Sequence, residues 1–234
     1  MKPVAIFRHS ATEGAGYFAT YLDARGIAWR LLKIDAGDRV PFDPAAWAGL
    51  AFMGGPMSVN DDFPWVAEES ALVQRAVAAG VPTLGHCLGG QLIAKALGGA
   101  VSSNPAREIG WGTVTVPDSA LAREWFGNIR EFLAFHWHGE TFAIPERATR
   151  ILSGPWCANQ AFALGPHLAM QCHVEMTAEL IRAWCEDWGD EVREMASASI
   201  QTPAQMEQDI GARLSALNAV AERLYDRWIA GLKR

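Results

Sequence analysis

The sequence predicts an α/β protein, a doubly wound and mostly parallel sheet with an antiparallel extension and a C-terminal helix. Three observations carry this expectation. The first half alternates short apolar runs with helix-patterned stretches, an order that implies right-handed crossovers and parallel strands. The middle carries several strand-like runs in succession, the pattern of an antiparallel or mixed sheet. The last thirty or so residues repeat apolar side chains at three- and four-residue steps, the signature of one buried helix face.

In order, residues 3–8 form a β-type run and the stretch to Arg25 is helix-like. Residues 29–34 and 49–53 are the second and third runs, the latter ending in Gly54-Gly55-Pro56. Residues 66–79 have helical spacing in Val66, Leu72, Val73, Ala76 and Val77. A fourth run, 81–85, stops at His86-Cys87, and 88–97 reads as a helix closed by Gly98-Gly99. Residues 110–117 and 132–137 alternate, and shorter runs at 149–152, 160–164 and 168–173 are expected to extend the same sheet. Helices are expected over 177–187 and from Pro203 onward. In the latter, Met206, Ile210, Leu214, Leu217, Ala221, Leu224 and Trp228 share a face, which is expected to pack on the sheet.

The chain has 234 residues, half of them hydrophobic, with a mean hydropathy of +0.03. That is a globular composition, long enough for one large core or two modest ones. The net charge is −6 and Lys and Arg do not cluster, so nucleic acid and anionic membranes are not expected partners. The start, MKPVAIFRHS, turns polar too soon for a secretory leader. No apolar run nears the ~20 residues of a membrane span. The expectation is a soluble, cytoplasmic protein. The four cysteines, Cys87, Cys157, Cys172 and Cys185, form no C-x-x-C pair, which argues against a zinc or redox site. Asp61-Asp62 reads as a solvated turn. His9, His136 and His167 read as structural or surface residues.

The chemistry concentrates in Gly85-His86-Cys87-Leu88-Gly89-Gly90-Gln91, between a strand pattern and a helix pattern. Glycines permit a tight strand-to-helix turn that lifts the Cys87 side chain clear of the sheet. The helix N-terminus there favours a thiolate. A thiolate chemistry needs a base and the base an orienting group. Gln171-Cys172-His173-Val174-Glu175 supplies both, since residues two apart on a strand face the same way. The same alternation turns Cys172 toward the core. Met53-Gly54-Gly55-Pro56-Met57-Ser58 offers bare backbone at a strand end, so the N–H groups of Gly55 and Leu88 are candidates for an oxyanion hole.

GHCLGGQ resembles the elbow of the class I glutamine amidotransferases, QCHVE their H-x-E motif and GGPMSV their oxyanion loop. WHGETF resembles a segment of stand-alone members similar to the glutaminase domain of GMP synthase. The resemblance runs from about residue 3 to about residue 184. It implies a flavodoxin-like sheet, a catalytic set of Cys87, His173 and Glu175, and substrate contacts at Gly54, Gln91 and His138. Two positions depart from the family pattern, His86 before the cysteine and Val174 after the histidine.

The domain expectation is one amidotransferase-like unit over residues 1–234, with a catalytic core over about 3–187 and a C-terminal helical segment over about 188–234. The expected reaction is hydrolysis of the glutamine side-chain amide through a γ-glutamyl thioester, with no metal or organic cofactor. The chain carries no nucleotide-binding loop, so the ammonia acceptor is not written in it, and a separate synthetase subunit is one candidate partner. A γ-glutamyl hydrolase or peptidase with the same triad, and a non-catalytic binding domain on the same fold, stand as alternatives.

Overall fold

The computed structural model describes residues 2–193, 195 and 197–233, without the side chains of residues 191 and 193. Five parallel strands form the centre: β1 (Val4–Arg8), β2 (Trp29–Lys33), β3 (Gly49–Phe52), β4 (Thr83–His86) and β9 (His167–Met170). They lie in the order β2-β1-β3-β4-β9, and β8 (Ala161–Leu164) and β7 (Thr149–Leu152) continue the sheet antiparallel. This is the flavodoxin-like arrangement, whose order reverses between β1 and β3; ligands of open α/β sheets bind at the strand C-termini around such a reversal.

The central strands are short apolar runs because helices cover both of their faces. Val4, Ile6 and Ala51 enter one core, and Ala5, Phe7, Leu50 and Phe52 enter the other. Helices α1 (Gly16–Ala24), α2 (Pro64–Ala79) and α3 (Leu88–Ala96) are the crossovers between these strands or follow them. Helix α2 starts with Pro64 at its first position and ends at Gly80 with a left-handed φ of 64°, the usual proline-first, glycine-last arrangement. Helices α4 (Ala120–Phe126) and α5 (Ala178–Arg193) follow.

Two expectations change. The runs at 110–117 and 132–137 do not extend the main sheet. They belong to β5 (Val101–Thr115) and β6 (Glu131–Phe142), a separate two-stranded antiparallel sheet. Alternation reports one buried face and does not report which sheet a strand joins. The C-terminal helix is two pieces, α6 (Pro203–Glu207) and α7 (Ile210–Ile229), because Asp209 takes a left-handed φ of 53° between them. Its apolar face is buried as expected: Leu217, Ala221, Leu224 and Trp228 join the core that holds Val4 and Ile6. Among the described residues no helix is long and apolar enough to cross a membrane.

Candidate functional site

The turn from β4 into α3 is tight because its glycines touch backbone on both sides. A Cβ on Gly89 would lie 2.1 Å from the Phe52 carbonyl oxygen, and one on Gly90 would lie 2.3 Å from that of Met170. Gly89→Ala is therefore expected to cost about 3 kcal/mol, since neither carbonyl can yield without breaking the sheet. For a chain this size the thermal midpoint should fall by roughly 6–12 °C; an unchanged midpoint in calorimetry would contradict this packing. Cys87, at the end of the turn, has φ 49° and ψ −110°, strain for a residue with a Cβ. The Gln171 amide donates to Cys87 Sγ at 3.5 Å, and the Trp137 carbonyl lies 3.9 Å from the same sulfur. Gln91 donates to Gln171 Oε1 at 3.2 Å, so the two glutamines line up behind the thiol.

His173 and Glu175 lie past the end of β9, not on a strand, because the chain leaves the ladder after Met170. Their pairing survives by other means. The His173 N–H donates to the Phe135 carbonyl at 2.8 Å, and the Glu175 carbonyl accepts from the Tyr17 N–H at 2.7 Å. His173 Nδ1–H donates to Glu175 Oε1 at 2.6 Å, with both side chains buried. His173 Nε2 is buried without a hydrogen-bond partner, and the Cys87 thiol is close enough to influence the ring's charge. Burial would lower the pKa of His173, but the Glu175 carboxylate and then Cys87 hold it well above its ordinary value. Burial would raise that of Glu175; the neighbouring His86 and His173 bring it down to about 2. Trp184 packs edge-on against the His173 ring at 5.0 Å.

His86 does not face the thiol. Its Nε2 lies 3.4 Å from Glu175 Oε2 and 3.3 Å from the Tyr225 hydroxyl of α7. Burial lowers its pKa to about 4, so at neutral pH its ring is uncharged beside the Glu175 carboxylate. Cys172 is buried in the core, on the side the sequence assigned to it. His9 clamps the strand before the glycine loop. Its ring bonds the Met53 carbonyl at 3.1 Å and Glu69 Oε2 at 3.0 Å. His167 bonds Thr83 Oγ1 at 3.1 Å, and Asp61 and Asp62 are exposed.

Gly54 and Gly55 follow β3 on the same sheet edge. A Cβ on Gly55 would lie 2.7 Å from Leu88 Cδ2, and one on Gly54 would lie 3.2 Å from His173 Cε1. Gly55 thus packs against the Leu88 side chain at the start of α3. A cavity of about 630 Å³ opens over Cys87, bordered by Gly55, Gln91, His138 and the aromatic wall of Trp137, Trp184 and Trp188. His138 borders it, but both ring nitrogens are directed into the protein: Nδ1 lies 2.9 Å from the Glu140 carbonyl and Nε2 lies 3.1 Å from Glu108 Oε2.

Two groups were not found in the sequence. Glu13 lies on the cavity wall against Gly54; burial raises its pKa to about 7, with His173 opposing and Glu175 adding to the shift. It stands outside every motif, on the loop before α1. The second is a buried cluster of Glu108, His136 and His138 with ligand-type atoms within 4.8 Å of one another. His136 is accordingly not a surface residue, and the metal-free expectation met here a donor set that only the pairing of β5 with β6 assembles.

The sequence model of class-I glutamine amidotransferases matches residues 18–182. The chain belongs to that family. A class-I glutamine amidotransferase of this kind carries the general chemistry of glutamine amide hydrolysis. It is 29% identical to the glutamine amidotransferase-like protein YfeJ of Salmonella typhimurium, over 74% of this chain and 75% of that protein. It is 24% identical to gamma-glutamyl peptidase 3 of Arabidopsis thaliana, over 71% of each. The match to a glutamine-hydrolyzing GMP synthase of Aromatoleum aromaticum is 31% identical over 56% of this amidotransferase and 26% of the synthase. Among solved structures, a glutamine amidotransferase from Methylobacillus flagellatus superposes with a TM-score of 0.97 at 43% identity, over 100% of this chain and 96% of that one.

Proposed function

We propose that this amidotransferase hydrolyses the side-chain amide of glutamine by covalent catalysis at Cys87. The observation that carries the reading is the 2.6 Å His173–Glu175 pair beside a cysteine held at positive φ on a strand-to-helix elbow. In the proposed sequence the Cys87 sulfur forms a bond to the amide carbon while its proton passes to His173 Nε2. The N–H groups of Gly55 and Leu88 hold the oxyanion. The carbon–nitrogen bond then breaks, and His173 returns the proton to the departing ammonia. Water, deprotonated by His173, adds to the γ-glutamyl thioester, the carbon–sulfur bond breaks, and glutamate leaves with the thiol restored. Glu175 orients His173 and stabilises its charged form, as the carboxylate does in other triads. Gln91 lines the substrate site and His138 acts there as a wall, while Gly54 lies behind it against Glu13 and His173 and acts on the substrate through Glu13. Ammonia passes to an acceptor on a separate synthetase subunit. We read residues 1–234 as one domain, in which the segment from about 188 closes the core.

Glu13 fits the α-ammonium group of the substrate, being a carboxylate on the cavity wall beside the catalytic dyad. Glu13→Gln should then raise KM for γ-glutamyl substrates by about 10- to 100-fold, the value of a charge-assisted hydrogen bond, with a smaller change in kcat. An equal fall in kcat at constant KM would remove Glu13 from substrate binding.

A second reading has its own support. The cavity of about 630 Å³ exceeds what a glutamine side chain fills, and a peptidase of γ-glutamyl compounds aligns over 71% of this chain. Cleavage of N-substituted γ-glutamyl amides would use the same residues. Initial rates on glutamine against a panel of γ-glutamyl amines and peptides separate the two. Preference for glutamine supports amidotransfer, preference for the substituted amides supports the peptidase, and turnover of none contradicts both.

A further inference from the structure

We propose that Glu108, His136 and His138 form a binding site for one divalent transition-metal ion of the zinc class, independent of the γ-glutamyl reading. His136 and His138 are two apart on β6 and share a face. Glu108 lies directly opposite His138 in the register, and Gly110, opposite His136, adds no side chain. All three are buried, at 2%, 6% and 3% exposure for His136, His138 and Glu108.

The hydrogen bonds around the cluster aim its lone pairs inward. The Glu140 carbonyl, which only accepts, lies 2.9 Å from His138 Nδ1, so Nδ1 carries a proton. Nε2, the remaining ring nitrogen, faces Glu108 Oε2 at 3.1 Å, and in the tautomer with its proton on Nδ1 it presents a lone pair there. Two acceptors at that distance repel unless a cation joins them. A proton on Nε2 would serve, but it leaves a second feature unexplained. His136 Nε2 lies 3.4 Å from the Gly112 carbonyl, and its Nδ1 is buried with no partner. One metal ion satisfies both rings. Gln160 Nε2 donates to Glu108 Oε2 at 2.7 Å, while Gln160 Oε1 is buried and unpartnered. Ligand imidazoles held by carbonyls and a ligand carboxylate held by an amide are the surroundings metal sites use to orient their donors. Zinc–ligand bonds of about 2.1 Å put tetrahedral donors roughly 3.4 Å apart, against 3.1 Å for the His138–Glu108 contact and an upper limit of 4.8 Å for the set. Two histidines and one carboxylate also match the donor preference of zinc. Trp137, between the two histidines, carries the carbonyl 3.9 Å from Cys87 Sγ, so the ion would fix that wall of the cavity.

The test uses the full-length chain, stripped by a chelator and titrated with Co²⁺ and then Zn²⁺, as wild type and as Cys87→Ser. The expected result is one Co²⁺ per chain in both, with visible d–d bands of low-coordinate cobalt and no thiolate charge-transfer band. Zn²⁺ should displace the cobalt and raise the thermal midpoint. Glu108→Gln and His136→Gln should bind at least about a hundredfold more weakly. Absence of cobalt bands and of a midpoint shift in the wild type would overturn the proposal, whatever the variants' folding. So would binding undiminished in both variants, or a thiolate band showing that a cysteine holds the metal.

Discussion

Replacing Cys87 by serine is expected to lower kcat/KM on the best γ-glutamyl amide by at least about a thousandfold, with the fold intact. The oxygen nucleophile is nearly isosteric, but at neutral pH it is far less ionised and less nucleophilic than a thiol. Members of a catalytic triad act as a unit, so losing the nucleophile removes most of what the set provides, and the remainder comes from oxyanion contacts and binding. The elbow gives the prediction its structural control. Gly89 and Gly90 pack on the Phe52 and Met170 carbonyls and the Cys87 N–H donates to the Met170 carbonyl at 2.8 Å, and serine changes none of those contacts. Thermal midpoint and circular dichroism should match the wild type while ammonia release fails. Turnover retained within tenfold would remove Cys87 from the reaction.

Glu175→Gln is expected to lower kcat by about 10³- to 10⁴-fold, comparable to removing the carboxylate in the serine-protease triad. Here the carboxylate accepts the His173 Nδ1 proton at 2.6 Å and is a main cause of the raised His173 pKa. With an amide in its place, burial dominates and the His173 pKa falls, so the acid limb of the activity profile, where the base becomes protonated, should move to lower pH. The stability signs follow. The His173 share of the pair is fully present below its unfolded value of 6.5 and is lost as pH rises through the raised folded value. The Glu175 share is present above 4.5 and is lost as pH falls toward about 2. In the variant the Glu175 dependence should vanish and the His173 dependence should reverse, with stability lost as pH falls below 6.5, seen in the change of denaturant midpoint with pH. An unmoved acid limb would separate Glu175 from the base.

What could be read in the sequence was local. Gly85 to Gln91 is contiguous, and its glycines announce the turn before any fold is known. The α7 face was legible because Leu217, Ala221, Leu224 and Trp228 repeat with the helix, and tertiary packing only confirms the repeat. The separate β5–β6 sheet was not legible, since alternation in Gly110–Val116 is the same on any partner. Nor was the Glu108–His136–His138 cluster, which requires one register of that pairing, past an irregularity between Ser103 and Glu108. Glu13 reaches the cavity only because the loop before α1 lies against Gly54. His86 was conspicuous as a departure, but its neighbour Tyr225 stands 139 positions away, and no local pattern points from one to the other.

The central claim is that the Cys87 sulfur takes the γ-glutamyl group. Mass spectrometry of the intact and digested protein, acid-quenched during turnover of a γ-glutamyl amide, tests it most directly. The account predicts one γ-glutamyl group on the peptide that contains Cys87, absent in Cys87→Ser and discharged with glutamate formation at the turnover rate. Amide hydrolysis at full rate with no acyl group on Cys87, or acylation of another residue, would contradict it.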